Sequence, residues 1–308
     1  MYSKFKNIKL NDKILITGAN GFIGKHLIKF LKNRDIVCIT SKNLKNKNGI
    51  KFIKLNLFNK KKVEETIKKE KPKILIHLAW ETEPKKYINK KSNLKWYHSS
   101  SNLYYQFCKY GGKKAILLGS GIELSLKDKK IKEQPGNILD HDNLNYYNLT
   151  KILFHINSTK ISNQFKSNLI WARVFFLYGP GENKTRLIPS IIKSIKFNKT
   201  LKISDPYKKL NILHVYDVAK ILSKLIYSKN LKLVNIANNK NYSIKSIIKK
   251  ITSIIRNEKS SKIIYSKNVK KIISNKVEIN NLKKIKYKYK FDISSGLENY
   301  INYLLKYM

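Results

Sequence analysis

Residues 17–24 read Thr17-Gly18-Ala19-Asn20-Gly21-Phe22-Ile23-Gly24, directly behind an apolar run that ends at Thr17 and directly ahead of a stretch with helical spacing. Three glycines at these intervals suit a strand-to-helix turn that holds a pyrophosphate. Gly18 permits the tight turn, Gly21 removes the Cβ that would keep a phosphate off the backbone, and Gly24 lets the helix pack closely on the strand. The free amides at the helix start then point at the anion. With only twelve glycines in the chain, the spacing is not a by-product of composition, and its position between strand and helix carries more weight than the string itself.

Outward from that turn, short apolar runs alternate with amphipathic stretches, the rhythm of βαβ units feeding a parallel sheet. Strands are predicted at Lys13 to Thr17, Ile36 to Thr40, Lys51 to Leu55, Ile74 to Leu78, Ala115 to Gly119 and Leu169 to Leu177. Helices with one apolar face are predicted at Gly24 to Lys32, Lys60 to Glu70, Asn93 to Lys109 and Tyr146 to Ile161. The expected fold is α/β, a Rossmann-type doubly wound parallel sheet. From Pro180 the rhythm loosens, with helices near Leu187 to Lys196, Asp217 to Tyr227, Ser243 to Ile255 and Ser295 to Lys306, and a strand near Ile212 to Val215. This predicts a dinucleotide-binding domain over residues 1–179 and a smaller substrate-binding region over 180–308, with chain returning to the first domain near 210–237.

A chain of 308 residues with 42% apolar content can bury a sizeable core despite its 27% charged fraction. Its formal net charge of +46 raises nucleic acid or an anionic membrane as partners. Against that, only Arg34, Arg173, Arg186 and Arg256 are arginine among 65 basic residues, whereas phosphate and base recognition draws on the bidentate Arg fork. The lysines run through every segment, alongside abundant Ile and Asn, so composition bias explains them better than a dedicated nucleic-acid surface. A positive surface still concentrates anionic ligands such as nucleotide phosphates. No apolar leader follows Met1-Tyr2-Ser3-Lys4-Phe5-Lys6, and no eighteen-residue stretch avoids charge, so a soluble cytoplasmic protein is expected. Cys38 and Cys108 lack metal-ligand spacing and read as buried thiols; no metal site is visible.

At the end of the second strand, Ile39-Thr40-Ser41-Lys42-Asn43 contains no acid. A carboxylate there would accept from the adenosine ribose and repel a 2′-phosphate, whereas Ser41 and Lys42 can bind one, which favours NADP with NAD still possible. Further on, Tyr147-Asn148-Leu149-Thr150-Lys151 sets a phenol and an ammonium on one helix face. A nearby cation lowers a phenol's pKa, so Tyr147 could exchange a proton with a substrate oxygen. The spacing alone proves little, because Tyr2, Tyr87, Tyr105, Tyr110 and Tyr216 also have lysine four residues on. What distinguishes Tyr147 is its place one loop beyond the fifth strand, whose end carries Gly119-Ser120-Gly121; there Ser120 can donate to the same oxygen.

Taken in order, Thr17 to Gly24, His77-Leu78-Ala79-Trp80, Ser120, Tyr147 with Lys151, Arg173-Val174-Phe175-Phe176-Leu177-Tyr178-Gly179-Pro180-Gly181-Glu182, Arg186-Leu187-Ile188-Pro189 and His214-Val215-Tyr216-Asp217-Val218-Ala219 resemble the extended short-chain dehydrogenase/reductase family. The likeness covers nearly the whole chain and is greatest to the nucleotide-sugar epimerase/dehydratase branch, particularly its 4-ketohexose reductases. It implies Tyr147 as acid/base, Lys151 as the group that tunes Tyr147 and holds the nicotinamide ribose, and Ser120 as polariser. It also implies cofactor contacts from Gly18, Asn20, Gly21, Phe22, Ile23, Gly24, Ser41, Lys42, Asn56, Leu57, Leu78, Ala79, Trp80, Tyr147 and Lys151. Substrate contacts would come from Ser120, Glu123, Arg173, Arg186 and Lys209. Expected partners are a nucleotide sugar and, by resemblance, a second copy of the chain.

Three departures refine the expectation. The branch's 4,6-dehydratases follow their catalytic Thr with Asp and Glu, whereas Ser120 is followed by Gly121 and Ile122, with Glu123 one place too late; dehydration is disfavoured. The family's Asp after the third strand is Asn56, which still hydrogen-bonds. An Arg that often clamps the substrate pyrophosphate appears as Leu210, leaving Lys208, Lys209 or Arg186 as substitutes. His77 suits either a cofactor neighbour or a packed core histidine, His214 a structural role holding its strand to the following helix, and Trp80 a pocket wall or core filler. The leading expectation is an NADP-dependent reductase of a nucleotide-linked 4-ketosugar. Its rivals are an epimerase that retains its cofactor, a non-catalytic NADP- or RNA-binding protein on the same fold, and a plain basic scaffold.

Overall fold

The computed structural model describes residues 8–83, 87–124, 130–141, 144–255, 263–266 and 276–307; Arg256, the opening residues and part of the lysine-rich 249–290 stretch lie outside them. The first half of the chain alternates as its periodicity predicts. It runs β1 (Ile14–Thr17), α1 (Phe22–Ile28), β2 (Ile36–Thr40), β3 (Ile50–Lys54), α2 (Lys60–Glu70), β4 (Ile74–His77), α3 (Ser92–Lys109), β5 (Lys114–Ser120), β6 (Lys130–Ile131), α4 (Tyr146–Phe165) and β7 (Asn168–Val174). Then follow β8 (Phe176–Tyr178), α5 (Leu187–Lys196), β9 (Leu201–Ile203), β10 (Lys209–Leu210), β11 (Ile212–His214), α6 (Val215–Leu225), β12 (Leu233–Ile236), α7 (Ile244–Ile255), α8 (Asn280–Lys284) and α9 (Ile293–Lys306).

Seven strands form one parallel sheet in the order β12-β7-β5-β4-β1-β2-β3. Both faces are covered, so alternate residues of a single strand enter different cores. Ile14 and Ile16 pack with Leu27 of α1 and Val218 and Leu222 of α6. Leu15 faces the other way, toward Val63 and Ile67 of α2, Leu103 and Phe107 of α3 and Phe154 of α4. A third core, from Ile191 and Ile195 of α5, Ile247 and Ile251 of α7 and Leu297, Tyr300 and Ile301 of α9, fills the later region.

The single strand predicted over Leu169 to Leu177 is two. β7 stays in the sheet, whereas β8 pairs in parallel with β11, Phe176 opposite Ile212 and Tyr178 opposite His214. Between them the Phe175 ring packs over Gly121, where a Cβ would lie 2.4 Å from Cδ1. The apolar run continues through the break because both halves are partly buried; only the hydrogen-bonding partner changes. β12 adds the seventh strand beside β7.

Strand order reverses between β4 and β2 on either side of β1, so the carboxyl ends of β1 and β4 open a crevice, with Thr17 level with His77. Leu117 of β5 pairs beside His77 and Ser120 extends three residues beyond it, placing the serine on the same rim.

Candidate active site

Gly18 adopts φ +70°, a conformation that disfavours side chains, and a Cβ on it would lie 2.8 Å from the Ala79 nitrogen. A Cβ on Gly24 would lie 2.4 Å from the Gly18 carbonyl oxygen. Both positions therefore require glycine for close approach, as the spacing predicts. The Gly21 N–H donates to the Gly18 carbonyl at 2.9 Å, closing the turn. Gly21 is the N-cap of α1 and no side chain caps the helix, so its first-turn amides beside Asn20, Phe22 and Ile23 are left for an anion. Leu78 and Ala79 meet this turn: the Leu78 N–H donates to the Thr17 carbonyl at 3.2 Å and the Ala79 N–H to Thr17 Oγ1 at 3.4 Å. This uncapped, Cβ-free cradle fits a pyrophosphate. Ser41 and Lys42 are exposed at the end of β2, where the Lys42 N–H donates to Thr40 Oγ1 at 3.1 Å. Asn56 is exposed and its Oδ1 accepts from the Phe58 N–H at 3.0 Å, while Leu57 is buried.

Asn145 caps α4 by accepting from the Asn148 N–H at 2.9 Å, which sets Tyr147 in the first turn and Lys151 one turn later. The half-buried Tyr147 ring meets Tyr87 edge-on at 4.9 Å. Burial, and then Tyr87, push its phenol above the ordinary tyrosine range; the nearby Ser120 side chain and the Arg186 charge act the other way. Ser120 and Tyr147 thus meet, as their order in the chain predicts.

The phenol is raised where a lowered one is expected, and Lys151 is not among the groups that lower it. The Lys151 side chain is 4% exposed, donates from Nζ to the Leu118 carbonyl at 2.9 Å, and sits 3.7 Å from the Trp80 ring centroid but 5.8 Å from that of Tyr147. Burial pulls its pKa down to about 7, with Glu123 opposing, so the ammonium that was to act on Tyr147 is itself partly deprotonated at neutral pH. Trp80 is 8% exposed and its Nε1 donates to Asn93 Oδ1 at 2.9 Å.

His77 is buried between Thr17 Oγ1 at 2.6 Å and Ser100 Oγ at 2.9 Å, and burial lowers its pKa to about 3. It is neutral, tying the ends of β1 and β4 to α3. His214 caps α6 through Nδ1, which accepts from the Tyr216 N–H at 3.3 Å. Cys38 and Cys108 are buried free thiols, Cys38 pushed up to about 12 by burial. Among the described residues no three His, Cys, Asp or Glu side chains gather as a metal site.

Two of the expected substrate contacts face inward instead. Glu123 and Arg173 are each 0% exposed. The Glu123 carboxylate accepts from the Ser120 N–H, from Trp171 Nε1 at 2.9 Å and from Arg173 Nε at 3.4 Å. Arg173 also donates to Asn235 Oδ1 at 3.1 Å and the Gln134 carbonyl at 2.9 Å. With every bond internal, neither reaches a ligand. Lys209 is exposed on β10, and Leu210 is buried in the third core. Arg186 is the N-cap of α5, close enough for its charge to act on both Tyr147 and Glu182. His26 Nε2 of α1 hydrogen-bonds the Pro180 carbonyl at 2.8 Å, drawing this segment against the glycine-turn helix.

Sequence reasoning passed over Tyr87 and Glu182 as side chains of the site. Glu182 is 8% exposed, its Oε2 has no hydrogen-bond partner among the described residues, and burial raises it to about 8, with Arg186 opposing. The available signal was an acid directly after Gly179-Pro180-Gly181 in a chain with only 19 acidic residues.

A doubly wound parallel sheet with a glycine turn at its crevice and Ser, Tyr and Lys on the same rim defines a dinucleotide-binding Rossmann-type protein. The chain belongs to the NAD dependent epimerase/dehydratase family, whose model matches residues 14–237. It is 27% identical over 271 residues to a dTDP-D-glucose 4,6-dehydratase of Dictyostelium discoideum, across 79% of this chain and 62% of that protein's length. It is similar in fold to a UDP-N-acetylglucosamine 4-epimerase of Methanobrevibacter ruminantium solved with UDP-N-acetylmuramic acid, with a TM-score of 0.80, 20% identity, and 97% and 100% of the two chains covered. It is likewise similar to the UDP-glucose 4-epimerase of Thermotoga maritima solved with UDP-glucose (TM-score 0.79, 18% identity, 96% and 99% covered). The same holds for a Bacillus anthracis dTDP-glucose 4,6-dehydratase solved with NAD (TM-score 0.79, 17% identity, 96% and 97% covered). No helix among the described residues is long and apolar enough to cross a membrane.

Proposed function

We propose that the protein is a nicotinamide-dinucleotide-dependent oxidoreductase acting on a nucleotide-linked sugar, and that it reduces a 4-keto group. The observation that carries this reading is the meeting of the Ser120 hydroxyl with the Tyr147 phenol at the rim that also holds the glycine turn. The family supports the cofactor and substrate classes. When bound, the reduced nicotinamide supplies the hydride.

The residues divide the remaining work. The turn of Gly18, Gly21 and Gly24 receives the pyrophosphate on backbone amides. Ser120 donates to the carbonyl oxygen of the substrate, and the raised phenol of Tyr147, protonated at neutral pH, supplies the proton to that oxygen. By resemblance Lys151, one turn along α4, would hold the ribose side of the cofactor with an N–H that the Leu118 carbonyl does not take. Arg186 is the candidate for the substrate's phosphates, since the Arg173 guanidinium is committed inside the protein. Dehydration is disfavoured because no acid directly follows Ser120 and the Glu123 carboxylate is occupied.

NAD is the form named in the family description and carried by the dehydratase structure noted above; the missing acid after Thr40 argues for NADP. By resemblance the assembly is a homodimer. An epimerase would use the same three groups but return the hydride to the other face of the sugar, and the family description keeps that reading in play.

The test is incubation of the protein with NADH or NADPH and a panel of nucleotide-linked 4-ketosugars, following loss of reduced cofactor. Reduction consumes cofactor stoichiometrically, whereas epimerisation leaves it constant while the sugar inverts. Tyr147→Phe is expected to lower turnover on the order of 10²- to 10⁴-fold without loss of dinucleotide binding. Binding without any Tyr147-dependent turnover, together with steeply salt-dependent RNA affinity, would replace this reading with a non-catalytic one.

A further inference from the structure

We propose that Glu123 is a positioning residue for this reaction: its buried carboxylate ties the backbone N–H of Ser120 to Trp171 and Arg173, fixing the strand end that presents the serine hydroxyl to Tyr147. The proposal rests on the functional reading above, and the experiment below separates the two.

The geometry is specific on both sides of the carboxylate. Ser120 and Glu123 form a reciprocal pair, the serine hydroxyl accepting from the Glu123 N–H while the glutamate side chain accepts from the Ser120 N–H. The Ser120 side chain therefore has its direction set by the same short turn that carries Glu123. The far side of the carboxylate is held by Trp171 Nε1 at 2.9 Å and Arg173 Nε at 3.4 Å, both on β7. Gly119 makes room for this: a Cβ there would lie 2.3 Å from Trp171 Nε1 and 2.7 Å from Glu123 Oε1. The glutamate carbonyl is held as well, at 3.0 Å from His141 Nε2.

The anchor continues away from the rim. Arg173 reaches Asn235 of β12, whose N–H donates to Glu133 Oε1 at 3.1 Å, and Glu133 Oε2 accepts from the Asn281 N–H at 2.8 Å. A charge pair that is 0% exposed on both sides is costly to build. Here it stands directly beneath a serine that must hold its hydroxyl within hydrogen-bond reach of a phenol, which gives the cost a use.

Burial also gives the carboxylate electrostatic reach. Lys151 is faced by His77 of β4, Tyr147 of its own helix, the Trp80 ring, the Leu118 carbonyl of β5 and Glu123. His77 is neutral, and Glu123 is the negative charge that favours the ammonium. Arg173 faces Glu123 from β7, with Glu133 beyond it, and the His155 ring stacks on Trp171 at 4.5 Å. Burial and Arg173 hold His155 down at about 3, so it is neutral.

Glu123→Gln keeps the shape but turns an NH2 toward at least one of the converging donors. In the holoenzyme it is expected to lower kcat about 10- to 100-fold with KM and dinucleotide affinity within about twofold. The same change in a Ser120→Ala background is expected to cost less than about twofold more, because the hydroxyl it positions is already gone. Trp171→Phe, which removes one donor and leaves the charge, is expected to reproduce part of the loss, and thermal melting and dinucleotide binding establish that each variant folds. A readout independent of turnover is the titration of Lys151 followed by ε-15N-lysine NMR, assigned by its loss in Lys151→Met. Glu123→Gln is expected to move that midpoint down by about half a pH unit or more, and Ser120→Ala to leave it in place. Additive kinetic losses with an unmoved midpoint overturn the proposal. If the wild type shows no Tyr147-dependent turnover, the functional reading falls instead; the hold of Glu123 on the rim is then judged on the Lys151 midpoint, a shift supporting it and no shift overturning it.

Discussion

The Lys151 ammonium rests on the face of Trp80, 3.7 Å from the ring centroid, and hydrogen-bonds the Leu118 carbonyl, with the Tyr147 ring centroid 5.8 Å away. A buried cation is thereby held by a π face, one carbonyl and the distant Glu123 charge, with burial winning and its pKa falling to about 7. Because the folded value lies below the ordinary lysine value of 10.5, the native state binds fewer protons than the unfolded chain between these limits. Stability from this site is therefore lost as pH falls from about 10.5 toward 7. Lys151→Met is expected to melt higher than wild type at pH 6, with the difference shrinking above pH 7. Melting curves of both proteins from pH 6 to 10 check this, and a constant difference contradicts it.

Glu182 has the opposite dependence. Its carboxyl, raised to about 8 by burial, keeps its proton in the folded protein between about pH 4.5 and 8 while the unfolded chain has lost it. Folding stability from this group thus declines as pH rises through that window and levels off beyond it. Glu182→Gln, which mimics the protonated form, is expected to gain on the order of 2 kcal/mol over wild type between pH 5 and 8. Urea unfolding at the two pH values measures the gain; no change would mean that the buried oxygen has found a partner when ionised.

Gly18 combines φ +70° with a backbone wall 2.8 Å from any Cβ. Gly18→Ala is expected to destabilise by about 1–3 kcal/mol and to weaken dinucleotide binding at least tenfold, on the order of what a shifted pyrophosphate cradle costs. Chemical denaturation and cofactor titration read the two effects separately. A fully stable variant with unchanged affinity would move the phosphate site elsewhere.

Lys42 is exposed at the end of β2, where the adenosine end of a dinucleotide lies in this fold. Lys42→Glu is expected to lower affinity for NADPH on the order of tenfold relative to NADH. Fluorescence titrations with the two cofactors give the ratio, and a ratio insensitive to this change would remove Lys42 from the adenosine subsite.

The sequence makes the first half of the fold legible because a parallel strand buried on both faces has few ways to read. Ile14, Leu15 and Ile16 announce a central strand, and Gly18, Gly21 and Gly24 announce the turn that follows. Periodicity reports that a residue is buried, however, and not what it pairs with. It could not show β8 leaving the sheet after Phe175, nor that β12 would join beside β7. The same limit applies within the site. Ser120 and Tyr147 were found from their order along the chain, since strand ends and the following helix meet at one rim. The resemblance assigns Glu123 and Arg173 to the substrate and Lys151 to the cofactor ribose and Tyr147, because a charged side chain in a sequence carries no sign of the internal partner that takes it up. Their partners, Trp171, Asn235 and Trp80, come from segments remote in sequence and became visible only with the fold.

The seating of β12 beside β7 means that the chain cannot be cut where its rhythm changes. A fragment ending near residue 179 would lack Asn235, removing one of the three partners of the Arg173 guanidinium, and would bare the hydrogen-bonding edge of β7 to other chains. Such a truncation is a recipe for an aggregating half-protein, so the residues after 179 complete the central sheet as much as they extend it.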